Sequence, residues 1–178
     1  MRLSKRIKTT PVRVGSILIG GDEPIRIQSM TTTKTEDIEA TVEQILSLAR
    51  KKAELIRVTV QGMRQVEAVK QIRQRLKELQ VEIPLIADIH FFPKAAIAVA
   101  PFVDKVRVNP GNFAIESFLE LIEVCKKSST AIRIGVNHGS LSEEILYEYG
   151  DTPKGMCESA FRFLRIAKEA NFDQVIVS

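Results

Sequence analysis

The sequence has no tryptophan, only two cysteines and two histidines, and no long apolar run. The two cysteines, Cys125 and Cys157, cannot form a disulfide scaffold, which suits a reducing compartment. A transmembrane helix needs about 18 consecutive apolar residues, and no stretch of the chain approaches that length. The basic residues near the N-terminus are not followed by an apolar segment, so we expect no secretory signal.

An excess of charge of one sign is also missing. Lysine and arginine number 26, aspartate and glutamate 22, and the net charge is +4. This excess is small and dispersed, so it does not predict a nucleic-acid-binding surface. With 178 residues, 44% of them hydrophobic and 27% charged, the composition is that of one globular domain with a sizeable core. We therefore expect a protein that binds neither nucleic acid nor a membrane.

What the sequence does contain is a regular alternation of strand and helix patterns. Near the start, Val12 and Val14 alternate with polar residues, Gly15 and Ser16 fit a two-residue turn, and residues 17–19 are apolar again. This arrangement predicts a β-hairpin. Short runs rich in isoleucine and valine, typical of buried parallel strands, follow at residues 25–30, 55–60, 85–90, 106–109, 132–137 and 174–178.

Helical periodicity fills the intervals between these runs. Ile38, Val42 and Ile45 belong to the first helix, for which Thr33 and Glu36 form a predicted capping box. A proline at position 93 suits the first turn of a short third helix. The other helices are predicted around residues 66–79, 118–125, 141–149 and 154–170.

This alternation predicts a parallel α/β fold. An open doubly wound sheet and a barrel both fit the pattern, but no Gly-x-Gly-x-x-Gly follows the first parallel strand, which disfavours a dinucleotide-binding sheet. A complete (β/α)8 barrel takes about 250 residues, and this chain supplies about six of its eight units. We therefore predict a TIM barrel truncated after about six strands, with an N-terminal β-hairpin. Residues 1–178 would form one domain that lacks the last barrel units.

Arginine recurs at the centre of the predicted strands. Arg57, Arg107 and Arg133 each stand between two β-branched residues, and Arg26 does so a fourth time. Because alternate residues of a strand face opposite ways, aliphatic neighbours that meet the helices place the arginines inside the barrel. Buried guanidinium groups need anions to neutralise them, and the strands offer only Asp88. The pattern predicts a ligand with two or more negative charges, and phosphate matches the arginine fork. Arg26 is set apart, because a strand beside the hairpin could leave it in water.

Polar residues share this orientation further along the same strands. Asn109 and Asn137 follow the second and third of these arginines by two and four residues, and His90 follows Asp88 by two. These positions approach the C-terminal ends of the strands, where TIM barrels carry their active sites. We therefore add them to the candidate site.

The cysteines and histidines do not predict a metal site. No histidine–cysteine pair on one element has the spacing of zinc ligands. Cys125 shares the apolar side of a predicted helix with Leu121 and Ile122. We expect both Cys125 and Cys157 to pack in the core.

Four segments, taken together, resemble the family of 4-hydroxy-3-methylbut-2-enyl diphosphate synthases. They are PIRIQSMT at 24–31, ADIHF at 87–91, RVNPGN at 107–112 and RIGVN at 133–137. Their order and spacing agree with the family along nearly the whole chain. TVQG at 59–62 and NHGSL at 137–141 are similar to the longer, plant-like form.

The resemblance implies the N-terminal, substrate-binding barrel of an isoprenoid-pathway oxidoreductase. Enzymes of this family reductively convert 2-C-methyl-D-erythritol 2,4-cyclodiphosphate to 4-hydroxy-3-methylbut-2-enyl diphosphate. The implied substrate-binding residues are Arg57, Asp88, His90, Arg107, Asn109, Arg133 and Asn137. Among these, the arginines match residues that bind the diphosphate, whereas the duties of the aspartate and of the first asparagine are less defined.

The resemblance also implies a 4Fe–4S cluster, which the family holds with three cysteines and a glutamate in a C-terminal domain. Neither Cys125 nor Cys157 matches those ligands, so the cluster is expected outside residues 1–178, and this part alone is expected to be inactive. Ferredoxin or flavodoxin is the implied electron donor. The resemblance further implies that the barrel meets the cluster domain of a second subunit, in a homodimer, or that of its own chain in the long form. The implied location is a bacterial cytoplasm, or the plastid stroma for a processed plant chain.

Two other interpretations stay open. A pterin-binding barrel of the dihydropteroate synthase type also has an anion site with aspartate or asparagine at its strand ends. A non-catalytic anion-binding module would need no further domain, although the free edges of an unclosed barrel disfavour a stand-alone unit.

Overall fold

The computed structural model describes residues 8–89 and 91–178. Within them the predicted hairpin is present, with β1 (Val12–Val14) antiparallel to β2 (Ile17–Ile19). Gly15 in the connecting turn has a φ of +57°, a left-handed conformation that glycine adopts without steric cost. The hairpin forms a small sheet of its own, separate from the parallel strands.

Six parallel strands form the main sheet. They are β3 (Gln28–Met30), β4 (Leu55–Thr59), β5 (Leu85–Asp88), β6 (Lys105–Val108), β7 (Ala131–Ile134) and β8 (Val175–Val177). The connecting helices are α1 (Ile38–Arg50), α2 (Met63–Glu78), α3 (Pro93–Val99), α4 (Ile115–Ser128), α5 (Glu143–Tyr149) and α6 (Pro153–Glu169). The strands lie side by side in sequence order, with β3 and β8 at the edges. This order is that of a TIM barrel and not of a doubly wound sheet, which confirms the predicted fold class.

The first parallel strand is shorter than predicted. It begins at Gln28 instead of residue 25, and Ile25 is 86% exposed. The backbone of Ile27 pairs with Glu54, whose carboxylate accepts a hydrogen bond from Ile27 N at 2.7 Å. Arg26 forms ion pairs with that same glutamate, at 3.0 Å, and with Glu23, at 2.8 Å. Arg26 is therefore neutralised locally and does not join the other arginines, but the reason is ion pairing and not the predicted exposure to water, since its side chain is only 20% exposed.

The first helix is capped by a different residue from the predicted one. α1 begins after Asp37, whose carboxylate accepts a hydrogen bond from Ala40 N at 3.2 Å. Thr33 instead contacts Thr41, with 2.8 Å between the two hydroxyl oxygens. The predicted capping box of Thr33 and Glu36 is therefore wrong, because an aspartate next to the first helical residue provides the cap.

The two faces of the sheet bury apolar residues in separate clusters. The residues that flank the three arginines pack with the helices in the main core, as predicted: Ile56, Val58, Val106, Val108, Ile132 and Ile134. On the inner face, Leu55, Ile86 and Ala131 pack against the hairpin strands β1 and β2. The hairpin thus closes the N-terminal end of the barrel lumen. Among the described residues, no helix combines the length and the apolar character that a membrane span requires.

Candidate anion-binding site

Strand register arranges the charged residues of the inner face in two rows. The upper row, nearer the C-terminal ends of the strands, contains Asp88 of β5, Arg107 of β6 and Arg133 of β7, which are consecutive register partners. The lower row contains Arg57 of β4 and Lys105 of β6, which are both register partners of Ile86 on β5. We call Arg57, Lys105, Arg107 and Arg133 the cationic cluster. Parallel pairing brings together residues that lie far apart in sequence.

One carboxylate lies within the cationic cluster. Asp88 is 1% exposed, and its Oδ2 accepts a hydrogen bond from Arg57 Nη2. Its Oδ1 lies 3.7 Å from Arg107 Nη1. Asp88 therefore bridges the two rows and orients two guanidinium groups.

Arg107 is fixed by the loop that follows β7. Its Nη2 donates to Gly135 O at 3.4 Å. With the Asn137 side-chain nitrogen facing Val136 O, the Asn137 side-chain oxygen accepts a second hydrogen bond from Nη2, at 3.2 Å. A Cβ at position 135 would lie only 2.7 Å from Arg107 Nε. Gly135 is thus required for the position of Arg107, and sequence reasoning missed it, although a glycine at a strand end signals close backbone approach.

Arg133 lies in the same row but without a carboxylate. Its Nε donates to Ser178 Oγ at 2.8 Å, and no carboxylate of the described residues lies within ion-pair distance. Burial, together with the positive charges of Arg57 and Arg107, lowers the pKa of Arg133 from its ordinary value. Burial also lowers the pKa of Arg107, against the opposing effect of Asp88.

Lys105 is the second residue that sequence reasoning missed. It precedes Arg107 by two positions on β6, faces the same lumen and is only 4% exposed. Burial, with the positive charges of Arg133 and Arg57, lowers its pKa to about 8. Its spacing of two residues from Arg107 places it on the same side of the strand and could have identified it. The predicted strand, however, began one residue too late to include it.

The charges of the lumen are strongly unbalanced. Among the described residues, the cationic cluster brings four positive charges, and Asp88 alone opposes them. Unpaired buried charges cost several kcal/mol each, and like charges close together repel. Arginine forks bind phosphate oxygens in pairs, and lysine binds them as a point charge. The arrangement is suited to an anion with several negative charges.

The remaining predicted residues have different places. Asn109 is 3% exposed, and its amide holds two loops together: Nδ2 donates to Ser140 Oγ at 2.7 Å, and Oδ1 accepts from Gly111 N at 3.2 Å. Its contact with a substrate stays a prediction. His90 lies outside the described residues.

The cysteines do not fit the ligand set of an iron–sulfur cluster, which requires thiolates that converge on the metal. Cys125 is buried in the main core, and burial raises its pKa to about 12. Cys157 is exposed, so the expectation that both cysteines pack in the core is wrong for this one. It lies on α6, the helix that also carries the buried residues Ala160 and Phe163. Across the described ranges, no group of three or more potential ligands among histidine, cysteine, aspartate and glutamate is placed to hold a metal ion.

Fold and site together define a TIM-barrel protein with a cationic lumen closed at one end by a hairpin. Comparison with known proteins then gives the family. Residues 9–178 match the GcpE TIM-barrel domain, and the chain belongs to that family. The resemblance seen in the sequence is therefore confirmed.

Two curated relatives show how much of such proteins the chain represents. It is 46% identical to the 4-hydroxy-3-methylbut-2-en-1-yl diphosphate synthase (flavodoxin) of Chlamydia pneumoniae, over 98% of this chain and 32% of that protein. It is 44% identical to the chloroplastic, ferredoxin-type synthase of Arabidopsis thaliana, over 97% of this chain and 26% of that protein. The chain thus spans a third or less of these relatives' length.

Solved structures share the fold at low sequence identity. The truncated 3-deoxy-D-arabino-heptulosonate 7-phosphate synthase of Thermotoga maritima aligns with a TM-score of 0.65 at 12% identity, over 96% of this chain and 56% of that one. The dihydropteroate synthase of Xanthomonas albilineans with 4-aminobenzoic acid also gives 0.65, at 14% identity, over 95% and 64%. These likenesses concern the fold alone.

Proposed function

We propose that this chain is the substrate-binding barrel of a 4-hydroxy-3-methylbut-2-en-1-yl diphosphate synthase. Its lumen binds the diphosphate group of 2-C-methyl-D-erythritol 2,4-cyclodiphosphate. The observation that carries the proposal is the cationic cluster, in which four buried or half-buried cations face one carboxylate. The family match and the names of the relatives supply the reaction.

The residues of the site have distinct roles in this proposal. Arg107 and Arg133, in the upper row, bind the diphosphate oxygens near the C-terminal ends of the strands, where barrels of this type carry their chemistry. Asp88 holds Arg57 and Arg107 in place, and Asn137 orients Arg107 from the side. Such preorganisation stabilises developing charge without rearrangement during the reaction.

Two further residues complete the site. Asn109 forms hydrogen bonds with Gly111, in the loop after β6, and with Ser140, in the loop after β7. We propose that it holds these two loops in place at the C-terminal ends of the strands. His90 follows Asp88 by two positions, and we assign it to the polar groups of the substrate.

The reduction itself needs electrons that these residues do not carry. A 4Fe–4S cluster would supply them, and we place its ligands outside residues 1–178 because Cys125 and Cys157 are unsuited to hold it. The names of the relatives specify flavodoxin or ferredoxin, and we propose one of these as the electron donor. The cluster domain would come from a partner subunit in a homodimer or from the same longer chain. We propose a bacterial cytoplasm or, for a plant protein, the plastid stroma as the location.

A binding experiment tests the proposal. The chain is titrated calorimetrically with the cyclic diphosphate, alongside Arg107→Met and the control Arg50→Met, which removes an exposed arginine at the end of α1. A charge-assisted hydrogen bond contributes about 1.5–3 kcal/mol, so Arg107→Met should bind roughly 10- to 100-fold more weakly. Arg50→Met should bind like the wild type.

Three results would contradict the proposed binding of the cyclic diphosphate in the lumen. The first is an absence of binding, and the second is equal binding by Arg107→Met and the wild type. The third is displacement of the bound ligand by a pterin, which would favour the dihydropteroate synthase type. Equal affinities for the cyclic diphosphate and inorganic pyrophosphate would instead favour a general anion-binding module.

A further inference from the structure

The loops that follow β6 and β7 are in direct backbone contact. Each loop contains one short 3-10 turn, Pro110–Asn112 after β6 and His138–Ser140 after β7. A Cβ at position 111 would overlap the carbonyl oxygen of Ser140 and would lie only 2.6 Å from its carbonyl carbon. Because any side chain at this position would separate the two loops, the contact requires glycine.

Side-chain hydrogen bonds hold the two loops at this contact. Asn109 Nδ2 donates to Ser140 Oγ at 2.7 Å, and Asn109 Oδ1 accepts from Gly111 N at 3.2 Å. The Ser140 hydroxyl in turn donates to Asn137 O at 3.3 Å. We call Asn109, Gly111 and Ser140 the loop clasp. Through its serine, the loop clasp connects the loop after β6 to the backbone of Asn137.

The residue that the loop clasp holds is the one that orients Arg107. The side-chain oxygen of Asn137 accepts a hydrogen bond from Arg107 Nη2 at 3.2 Å. Asn137 is exposed, so packing contributes little to its position. Its carbonyl oxygen instead accepts two hydrogen bonds from Ser140, from N at 3.2 Å and from Oγ at 3.3 Å. The position of the Asn137 side chain therefore depends on Ser140.

We propose that Gly111 and Ser140 are positioning residues for Arg107, which they orient through Asn137 without touching the ligand themselves. Arg107 is 6% exposed and lies in the upper row of the cationic cluster. A displacement of about 1 Å in a site that binds a reacting group can lower its efficiency about 100-fold, so a fixed guanidinium is needed there. This inference rests on the proposed function, and it adds two residues to the site.

Nuclear magnetic resonance of the Arg107 side chain tests the positioning without a ligand. In a nitrogen-15 spectrum, the Nε–H signal that is missing from Arg107→Met identifies this residue. Ser140→Ala should move the signal by more than its line width, because the Asn137 carbonyl loses a hydrogen bond. Ser16→Ala is the matched control: it removes an exposed hydroxyl from the turn between β1 and β2, at the other end of the barrel. The signal should not move in this control.

Calorimetry with the cyclic diphosphate measures the consequence for binding. Ser140→Ala should bind about 3- to 10-fold more weakly than the wild type, the effect of one neutral hydrogen bond. Ser140→Thr keeps the hydroxyl and should bind like the wild type. In the Arg107→Met background, Ser140→Ala should cause no further loss, because the group that it positions is gone. Gly111→Ala should weaken binding at least as much as Ser140→Ala, since its Cβ separates the loops.

The outcomes separate this inference from the proposed function. An Arg107 signal that stays in place in Ser140→Ala overturns the inference, and so does an equal loss of affinity from Ser140→Ala with and without Arg107. If the signal moves but the wild type binds no cyclic diphosphate, the proposed function fails and the positioning of Arg107 stands. Circular dichroism verifies that each variant is folded, and if Gly111→Ala is not, the serine variants decide the inference.

Discussion

Replacing Asp88 with asparagine tests the electrostatic design of the lumen most directly. The side chain is 1% exposed, accepts a hydrogen bond from Arg57 and lies 3.7 Å from Arg107. Removing one partner of a buried ion pair costs about 3–5 kcal/mol, because the other charge is left uncompensated. Asparagine keeps the shape and can still accept a hydrogen bond, so the lower end, about 3 kcal/mol, is expected.

Thermal unfolding by circular dichroism measures this effect. In a chain of this size, 1 kcal/mol shifts Tm by about 2–4 °C, so Asp88→Asn should lower Tm by roughly 6–12 °C. Glu123→Gln is the control, because it removes an exposed carboxylate that pairs with Lys126 on the surface of α4, and its Tm should be close to that of the wild type. Pyrophosphate should recover much of the loss, since a ligand at 100 times its Kd adds about 2.7 kcal/mol. An Asp88→Asn variant that melts at or above the wild-type temperature would refute the reasoning.

Three further predictions concern the same molecule. Gly135→Ala should weaken pyrophosphate binding in calorimetry about tenfold or more, because its Cβ would lie 2.7 Å from Arg107 Nε and displace the guanidinium; unchanged affinity would contradict this. The pKa of Lys105 is about 8 in the folded chain and 10.5 ordinarily, so the unfolded chain binds more protons between these values. The free energy of unfolding, measured with urea, should therefore rise between pH 8 and pH 10.5 for the wild type relative to Lys105→Met. Parallel pH profiles for the two proteins would show that the lysine is not buried as described. A thiol reagent should modify exposed Cys157 rapidly and buried Cys125, whose pKa is raised to about 12, only on unfolding; two fast thiols would contradict the packing of α4.

The orientation of the arginines was predictable from sequence because it depends on a local rule. Alternate residues of a strand face opposite sides, and β-branched neighbours identify the side that meets the helices. Arg57, Arg107 and Arg133 obey this rule, and their neighbours lie in the main core. Arg26 fails to join them because Glu23 and Glu54 neutralise it, a contact that involves residues 28 positions apart.

Predictions that needed exact ends of elements were weaker. The cap of α1 went to Asp37 instead of Thr33, since two nearby side chains compete for the same backbone donors and loop geometry selects one. Lys105 was missed because β6 begins at this lysine, one residue before Val106, the first β-branched residue of the strand. An error of one position is enough to remove a charged side chain from the predicted lumen.

The sequence by itself determined the strand–helix alternation, the inward direction of three arginines and the family. These follow from periodicities of two and 3.6 residues and from ordered motifs, all of which are local in the chain. Only the tertiary structure decided that Asp88, Arg107 and Arg133 share one row, that Gly135 makes room for Arg107, and that Lys105 lies buried in the row below. Register between parallel strands sets these relations, and register depends on how helices and hairpin pack on both faces of the sheet, which no single segment encodes.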